Sequence, residues 1–209
     1  MRLIAIDGPA GSGKSTVARA VASQLGVAHL DTGAMYRSVA VAVLRRGIDP
    51  EDGDRVAEVA AEVHIEIQGD RVMVDQGDVT AHIRSPDVTR AVSAVSSHPA
   101  VRQEMVRRQR EWARAHSGGV VEGRDIGSVV FPDADLKVYL TASDEVRAER
   151  RSKDSEDQDV EAVAAELARR DRLDSTRSES PLAPAADAVV IDTSDRTVDE
   201  VVEEVIGLL

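Results

Sequence analysis

The 209-residue chain contains no cysteine and no asparagine. Without Cys there is no disulfide framework, no Cys-based zinc site and no thiol nucleophile, a composition that fits a reducing compartment. Without Asn there is no N-glycosylation acceptor. A guanine-reading GTPase also needs an Asn-Lys-x-Asp element, which this chain cannot supply. Aromatic residues number four, Tyr36, Trp112, Phe131 and Tyr139, too few for platforms on which bases stack. Basic residues are outnumbered 26 to 38, leaving a formal charge of −12. The overall field therefore attracts neither nucleic acid nor an anionic membrane, and an anionic ligand must be held by a local cluster of Arg. No apolar run approaches the ~18 residues of a membrane-crossing helix, and the opening residues hold none of signal-peptide length. The expectation is a cytoplasmic protein with no nucleic-acid and no membrane partner.

What is present is ordinary globular composition, 42% hydrophobic and 31% charged. A chain of this size buries roughly 70% of its unfolded surface, enough for one domain or one domain with small insertions. Residues 3–6 form a short apolar strand that runs into Gly8, Pro9, Ala10, Gly11, Ser12, Gly13, Lys14, Ser15 and Thr16, and then into apolar residues at helical spacing, Val17, Ala18, Val21, Ala22 and Leu25. A second strand is expected over 28–30 and a helix over 34–46. After a helix over 54–63 the period changes from 3.6 to 2: Ile65 and Ile67, the turn Gly69-Asp70, Val72 and Val74, and the turn Gln76-Gly77 read as a small antiparallel ribbon. Helices return over 86–94 and 99–115. Residues 120–121, 136–140 and 188–191 suit buried parallel strands. An Arg- and acid-rich helical stretch covers 145–174, and an amphipathic helix closes the chain. Strands alternating with helices predict a parallel α/β sheet.

Gly8-x-x-x-x-Gly13-Lys14-Ser15 is a phosphate-binding loop in its proper setting between strand and helix. Glycines let backbone N–H groups turn inward around phosphate oxygens at the positive end of a helix dipole. Lys14 then reaches the β- and γ-phosphates, and the Ser15 hydroxyl ligates Mg²⁺. A kinase of a small molecule fits this loop and needs a second anion site for its acceptor.

Four separated segments resemble the bacterial cytidylate kinases, P-loop enzymes that phosphorylate CMP and dCMP. They are residues 8–16; Leu30-Asp31-Thr32-Gly33-Ala34-Met35-Tyr36-Arg37; Glu122-Gly123-Arg124-Asp125-Ile126-Gly127-Ser128-Val129-Val130-Phe131-Pro132; and Arg170-Asp171-Arg172 through Arg177 to Pro181-Leu182. The likeness implies a P-loop NTPase fold, with a five-stranded parallel sheet flanked by helices, an inserted acceptor-binding subdomain around 63–85 continuing into the helices that follow, and a helical lid around 150–180. It implies Mg²⁺-ATP as phosphate donor, CMP or dCMP as acceptor, and a monomer. Residues 8–16 and Arg150 are then the ATP side. Thr32, Tyr36 and Arg37 hold the acceptor phosphate and sugar, and Arg124 clamps the acceptor phosphate. Ser93, Arg102 and Asp125 read the cytosine, and Asp174 meets the sugar. Lys14, Arg124, Arg170 and Arg177 stabilise the charge in transfer.

Read without the resemblance, Ser93 and Arg102 are surface residues, and half of the Arg residues in 150–177 belong to a solvated, ion-paired helix. His29, His64, His82, His98 and His116 lack ligand spacing and read as ordinary surface or capping residues. Glu122 is a candidate for a Mg²⁺-bound water or the sugar. A kinase for another nucleotide or a polyol, and an ATP-dependent switch that transfers no phosphate, remain as alternatives.

Overall fold

The computed structural model describes residues 2–153, 159–175 and 182–209. Arg177 and parts of the expected lid therefore lie outside the described residues. The chain forms two compact units, Met1–Leu30 with Ala113–Leu209, and Asp31–Trp112.

The first unit is built on a five-stranded parallel sheet in the order β2-β6-β1-β7-β8, comprising β1 (Leu3–Asp7), β2 (His29–Asp31), β6 (Gly119–Gly123), β7 (Leu136–Thr141) and β8 (Val189–Asp192). The central strand β1 pairs Ile6 with Glu122 and Asp7 with Gly123 on one side, and Asp7 with Tyr139 on the other. Its residues Ile4, Ala5 and Ile6 are buried, as expected of a strand flanked on both edges and covered on both faces. Helix α1 (Lys14–Leu25) lays Val17, Ala18 and Val21 on this sheet, and α8 (Val198–Gly207) adds Val201, Val202 and Val205 to the same apolar cluster. The last helix begins at a reciprocal cap, with the Thr197 hydroxyl accepting from Glu200 N–H and the Glu200 carboxylate from Thr197 N–H. Helices α6 (Asp144–Lys153) and α7 (Val160–Ser175) pack together through Ala148, Val163 and Leu167.

Between Asp125 and Phe131 the chain makes a π-helical turn, Ile126–Val130, in which Phe131 N–H bonds back to Ile126 C=O at 2.7 Å. Nothing in residue spacing foretells such a turn. It is held from below by Asp7, whose two carboxylate oxygens each accept a backbone N–H, from Ile126 and Gly127, at 2.8 Å.

The second unit wraps α2 (Thr32–Arg45), whose residues 38–43 are buried on every side. Around it lie α3 (Gly53–Glu62), α4 (Pro86–Val95), α5 (Pro99–Ala115) and the antiparallel strands β3 (Ile65–Gln68), β4 (Arg71–Val74) and β5 (Gly77–Asp78). The turn placed at Gln76-Gly77 in fact falls one residue earlier. Asp75 and Gln76 are its two central residues, with φ of 47° and 66°, and Gly77 already pairs with Val74. That is the conformation matching the twist of a two-residue hairpin. Asp75 tolerates it because its carboxylate accepts His64 N–H and its own N–H reaches His64 C=O. Arg108 fastens α5 to α3 by donating to the carbonyls of Ala60 and Val63 at 2.8 and 2.7 Å.

Candidate active site

The loop from Gly8 to Ser15 leaves the C-terminal end of β1, the edge at which ligands collect in open parallel sheets. Gly11 and Gly13 hold φ of 77° and 82°, and Gly13 forms the left-handed N-cap of α1. A Cβ on Gly11 would come within 2.7 Å of the Arg147 carbonyl oxygen, so the loop's crown can lie this close to α6 only without a side chain. Lys14 Nζ donates to Pro9 C=O at 3.1 Å, spanning the loop. The Ser12 hydroxyl is buried and has no partner, a donor suited to a phosphate oxygen.

Two arginines of α6 brace the loop. Arg150 donates to Thr193 Oγ1 and to Thr193 C=O at 2.8 and 2.7 Å, and that hydroxyl in turn donates to Ser12 C=O at 3.1 Å. Arg147 is buried, donates to Ala10 C=O at 3.2 Å, and pairs with Asp171 of α7 and, at 2.6 Å, with Asp144. Sequence reading missed Arg147. Among so many Arg residues in 147–177 nothing marks this one as buried, and its partners are remote in sequence.

Beside the loop, Ser15 Oγ donates to Glu122 Oε2 at 2.6 Å, and His29 Nε2 lies 3.1 Å from Glu122 Oε1. Glu122 is 1% exposed, so this carboxylate belongs to the interior. His29 is therefore not the ordinary surface or capping residue expected. Its strand β2 lies next to β6 and so delivers the imidazole to Glu122. The cluster consists of hard oxygens, a hydroxyl and a carboxylate, the donors Mg²⁺ prefers when it retains waters and nucleotide phosphates as its other ligands.

Two residues beyond Glu122, Arg124 reaches α7, pairing with Asp174 at 3.1 Å and Asp171 at 3.3 Å. Arg170 stands in the same neighbourhood. Burial and the Arg124 charge lower its guanidinium to about 10, and its Nε has no partner. Two cations are thereby brought together with an unspent donor, the condition under which an anion is attracted. Asp125 is buried at the head of the π turn.

Asp7 lies beneath these groups. Burial pushes its carboxyl up to about 6 and Asp125 adds to the rise, while the two backbone donors and Lys14 work in the opposite direction. Its folded value exceeds the ordinary 3.8, so its contribution to stability is complete at low pH and is lost as pH rises through about 6. The wild type is expected to lose about 2 kcal/mol relative to Asp7→Asn between pH 4 and 7, measured as the difference in their denaturant midpoints. Parallel pH profiles for the two proteins would contradict this.

The second unit gathers the other expected residues. The Asp31 carboxylate caps α2 by accepting Ala34 N–H at 2.9 Å and lies 3.5 Å from Arg84. Thr32 is buried in the first turn. Arg37 donates to Ile83 C=O at 3.2 Å and Thr89 Oγ1 at 3.0 Å. Ser93 is half-buried on α4. Arg102 is not a surface residue, as its helix suggests, but 7% exposed, with its guanidinium carbon 5.8 Å from the centroid of the Tyr36 ring. Ser93, Arg102, Tyr36 and Arg37 thus lie in one compact unit, and Arg124, Asp125, Arg170 and Asp174 in the other.

A parallel sheet whose first strand opens into a glycine loop at a helix N-terminus, with a buried carboxylate on the helix's first hydroxyl, defines a P-loop nucleotide-binding α/β protein. A sugar kinase structure from a Janibacter species shares the fold at a TM-score of 0.54 and 16% identity, covering 99% of this chain and 93% of that one. The Cytidylate kinase family model matches residues 4–209, and the chain belongs to that family. Cytidylate kinase of Mycobacterium avium is 52% identical, with 99% of this chain and 94% of that protein covered. Cytidylate kinase of Mycolicibacterium paratuberculosis is 51% identical with the same coverage. Among the described residues no helix is long and apolar enough to cross a membrane.

Proposed function

We propose that this protein transfers the γ-phosphate of ATP to CMP or dCMP, giving ADP and CDP or dCDP. The observation that carries the reading is the glycine loop beside the Glu122-Gly123-Arg124-Asp125 segment at the ends of adjacent strands, in a chain about half identical to proteins named cytidylate kinase. A phosphate acceptor is already anionic near neutral pH, so the reaction needs alignment and charge neutralisation more than a general base. The loop amides of 8–16 and Lys14 hold the donor phosphates, with Arg150 on the ATP side. Mg²⁺, held with the nucleotide by Ser15, would neutralise charge on the β- and γ-oxygens. Arg124 and Arg170, joined by Arg177 from outside the described residues, stabilise charge on the transferring group.

On the acceptor, Thr32, Tyr36 and Arg37 are assigned to the phosphate and sugar, Arg124 to the phosphate and Asp174 to the sugar. Ser93, Arg102 and Asp125 are assigned to the base. A carboxylate accepts from the cytosine amino group but faces the O4 acceptor of uracil unfavourably. Sites of this kind reject mismatched analogues by up to about 10⁴–10⁵. The segment around 63–85 is proposed as part of the acceptor-binding subdomain and 150–180 as a lid, in a monomeric cytoplasmic enzyme.

Initial rates with Mg-ATP against CMP, dCMP, UMP, dTMP, AMP and GMP, with an acceptor-free control, test the assignment. CMP and dCMP are expected to lead by at least two orders of magnitude. Comparable rates with UMP would remove the assignments of Ser93, Arg102 and Asp125. ATP turnover indifferent to every acceptor would make the protein a nucleotide-dependent switch.

A further inference from the structure

We propose that His29 is a positioning residue for the nucleotide-bound Mg²⁺, acting through Glu122 to fix the orientation of the Ser15 hydroxyl. Three residues distant in sequence meet here because the strand order β2-β6-β1 brings His29, Glu122 and the start of α1 side by side. Ser15 gives its proton to Glu122 Oε2 at 2.6 Å, which turns the hydroxyl's lone pairs away from the carboxylate and leaves them for a cation. A carboxylate this deeply buried keeps its orientation only if both oxygens are hydrogen-bonded. His29, itself largely buried, supplies an N–H to Oε1 at 3.1 Å, so the imidazole is one of the groups that hold the carboxylate in its orientation toward Ser15. Groups that orient metal ligands in this way typically change metal affinity by about 10–100-fold when removed.

The proposal rests on Ser15 as the Mg²⁺ ligand and is independent of which acceptor the enzyme uses. Calorimetric titration with ADP, in Mg²⁺ and in EDTA and with no acceptor present, reads it without turnover. His29→Leu is expected to weaken ADP binding about tenfold in Mg²⁺ while leaving the EDTA value unchanged. His29→Gln, which keeps an N–H donor, recovers most of the loss, and thermal melting of all three proteins identifies any misfolded variant. A His29→Leu protein with the wild-type gain from Mg²⁺ overturns the proposal, as does equal weakening in Mg²⁺ and EDTA or a His29→Gln no better than His29→Leu. Absence of a Mg²⁺ gain in the wild type itself overturns the role of Ser15 and this inference with it. The acceptor panel alone decides the choice of CMP.

Discussion

Lys14→Ala is expected to lower kcat by a factor of about 10²–10³ while the melting temperature moves by no more than a few degrees. In the folded protein the Lys14 ammonium bridges its own loop by donating to Pro9 C=O, and its charge opposes the upward push of burial on Asp7. It is only half-buried, so its removal leaves no void in the apolar cluster of the sheet. On the proposed role, what disappears is a positive charge that meets the donor phosphates, where charge shifts during transfer, and interactions made mainly in the transition state appear in kcat rather than in KM. Steady-state rates with saturating CMP and Mg-ATP, beside a thermal melt, decide the matter. A variant with near-normal turnover contradicts the role assigned to Lys14.

Gly8→Ala is expected to be the more damaging change to the fold. Gly8 has φ of 153°, and a Cβ built on it would lie 2.2 Å from the Leu140 carbonyl oxygen and 2.9 Å from Ser12 Oγ. The first neighbour is backbone of β7 and cannot rotate aside, so either β1 and β7 part or the loop is displaced. Backbone strain and overpacking together cost about 3 kcal/mol. For a chain of this size the melting temperature falls by roughly 6–12 °C. ATP affinity should fall with it, because the displaced segment carries the amides proposed to hold the donor phosphates. Differential scanning calorimetry and nucleotide titration on the same preparation measure both, and an alanine variant that melts with the wild type contradicts the close approach.

The loop, the alternation of strands and helices, and the bounds of α5 were legible because they depend on local spacing: glycines at fixed offsets, and apolar residues at periods of two or 3.6. The antiparallel ribbon was legible for the same reason, down to a one-residue error at Asp75. The Ser15, Glu122 and His29 cluster was not, since its members are joined by strand order rather than by spacing. The Asp7 cap and the turn it supports escaped for a related reason. A bond from residue i+5 back to residue i has no composition of its own, and its anchor lies more than a hundred positions away. Arg102 was hidden by its surroundings. On a helix with so many charged residues, a buried guanidinium looks like more of the solvated face.

The placing of Arg102 over Tyr36 bears on what a ligand gains on arrival. A free arginine samples many rotamers, and confining it costs about 2 kcal/mol of entropy. In this fold part of that confinement precedes any ligand, because Arg102 is buried and its guanidinium lies over a phenol ring that is itself half-buried on α2. A ligand that accepts a hydrogen bond from Arg102 meets a donor already restrained, so more of the bond's enthalpy appears as affinity.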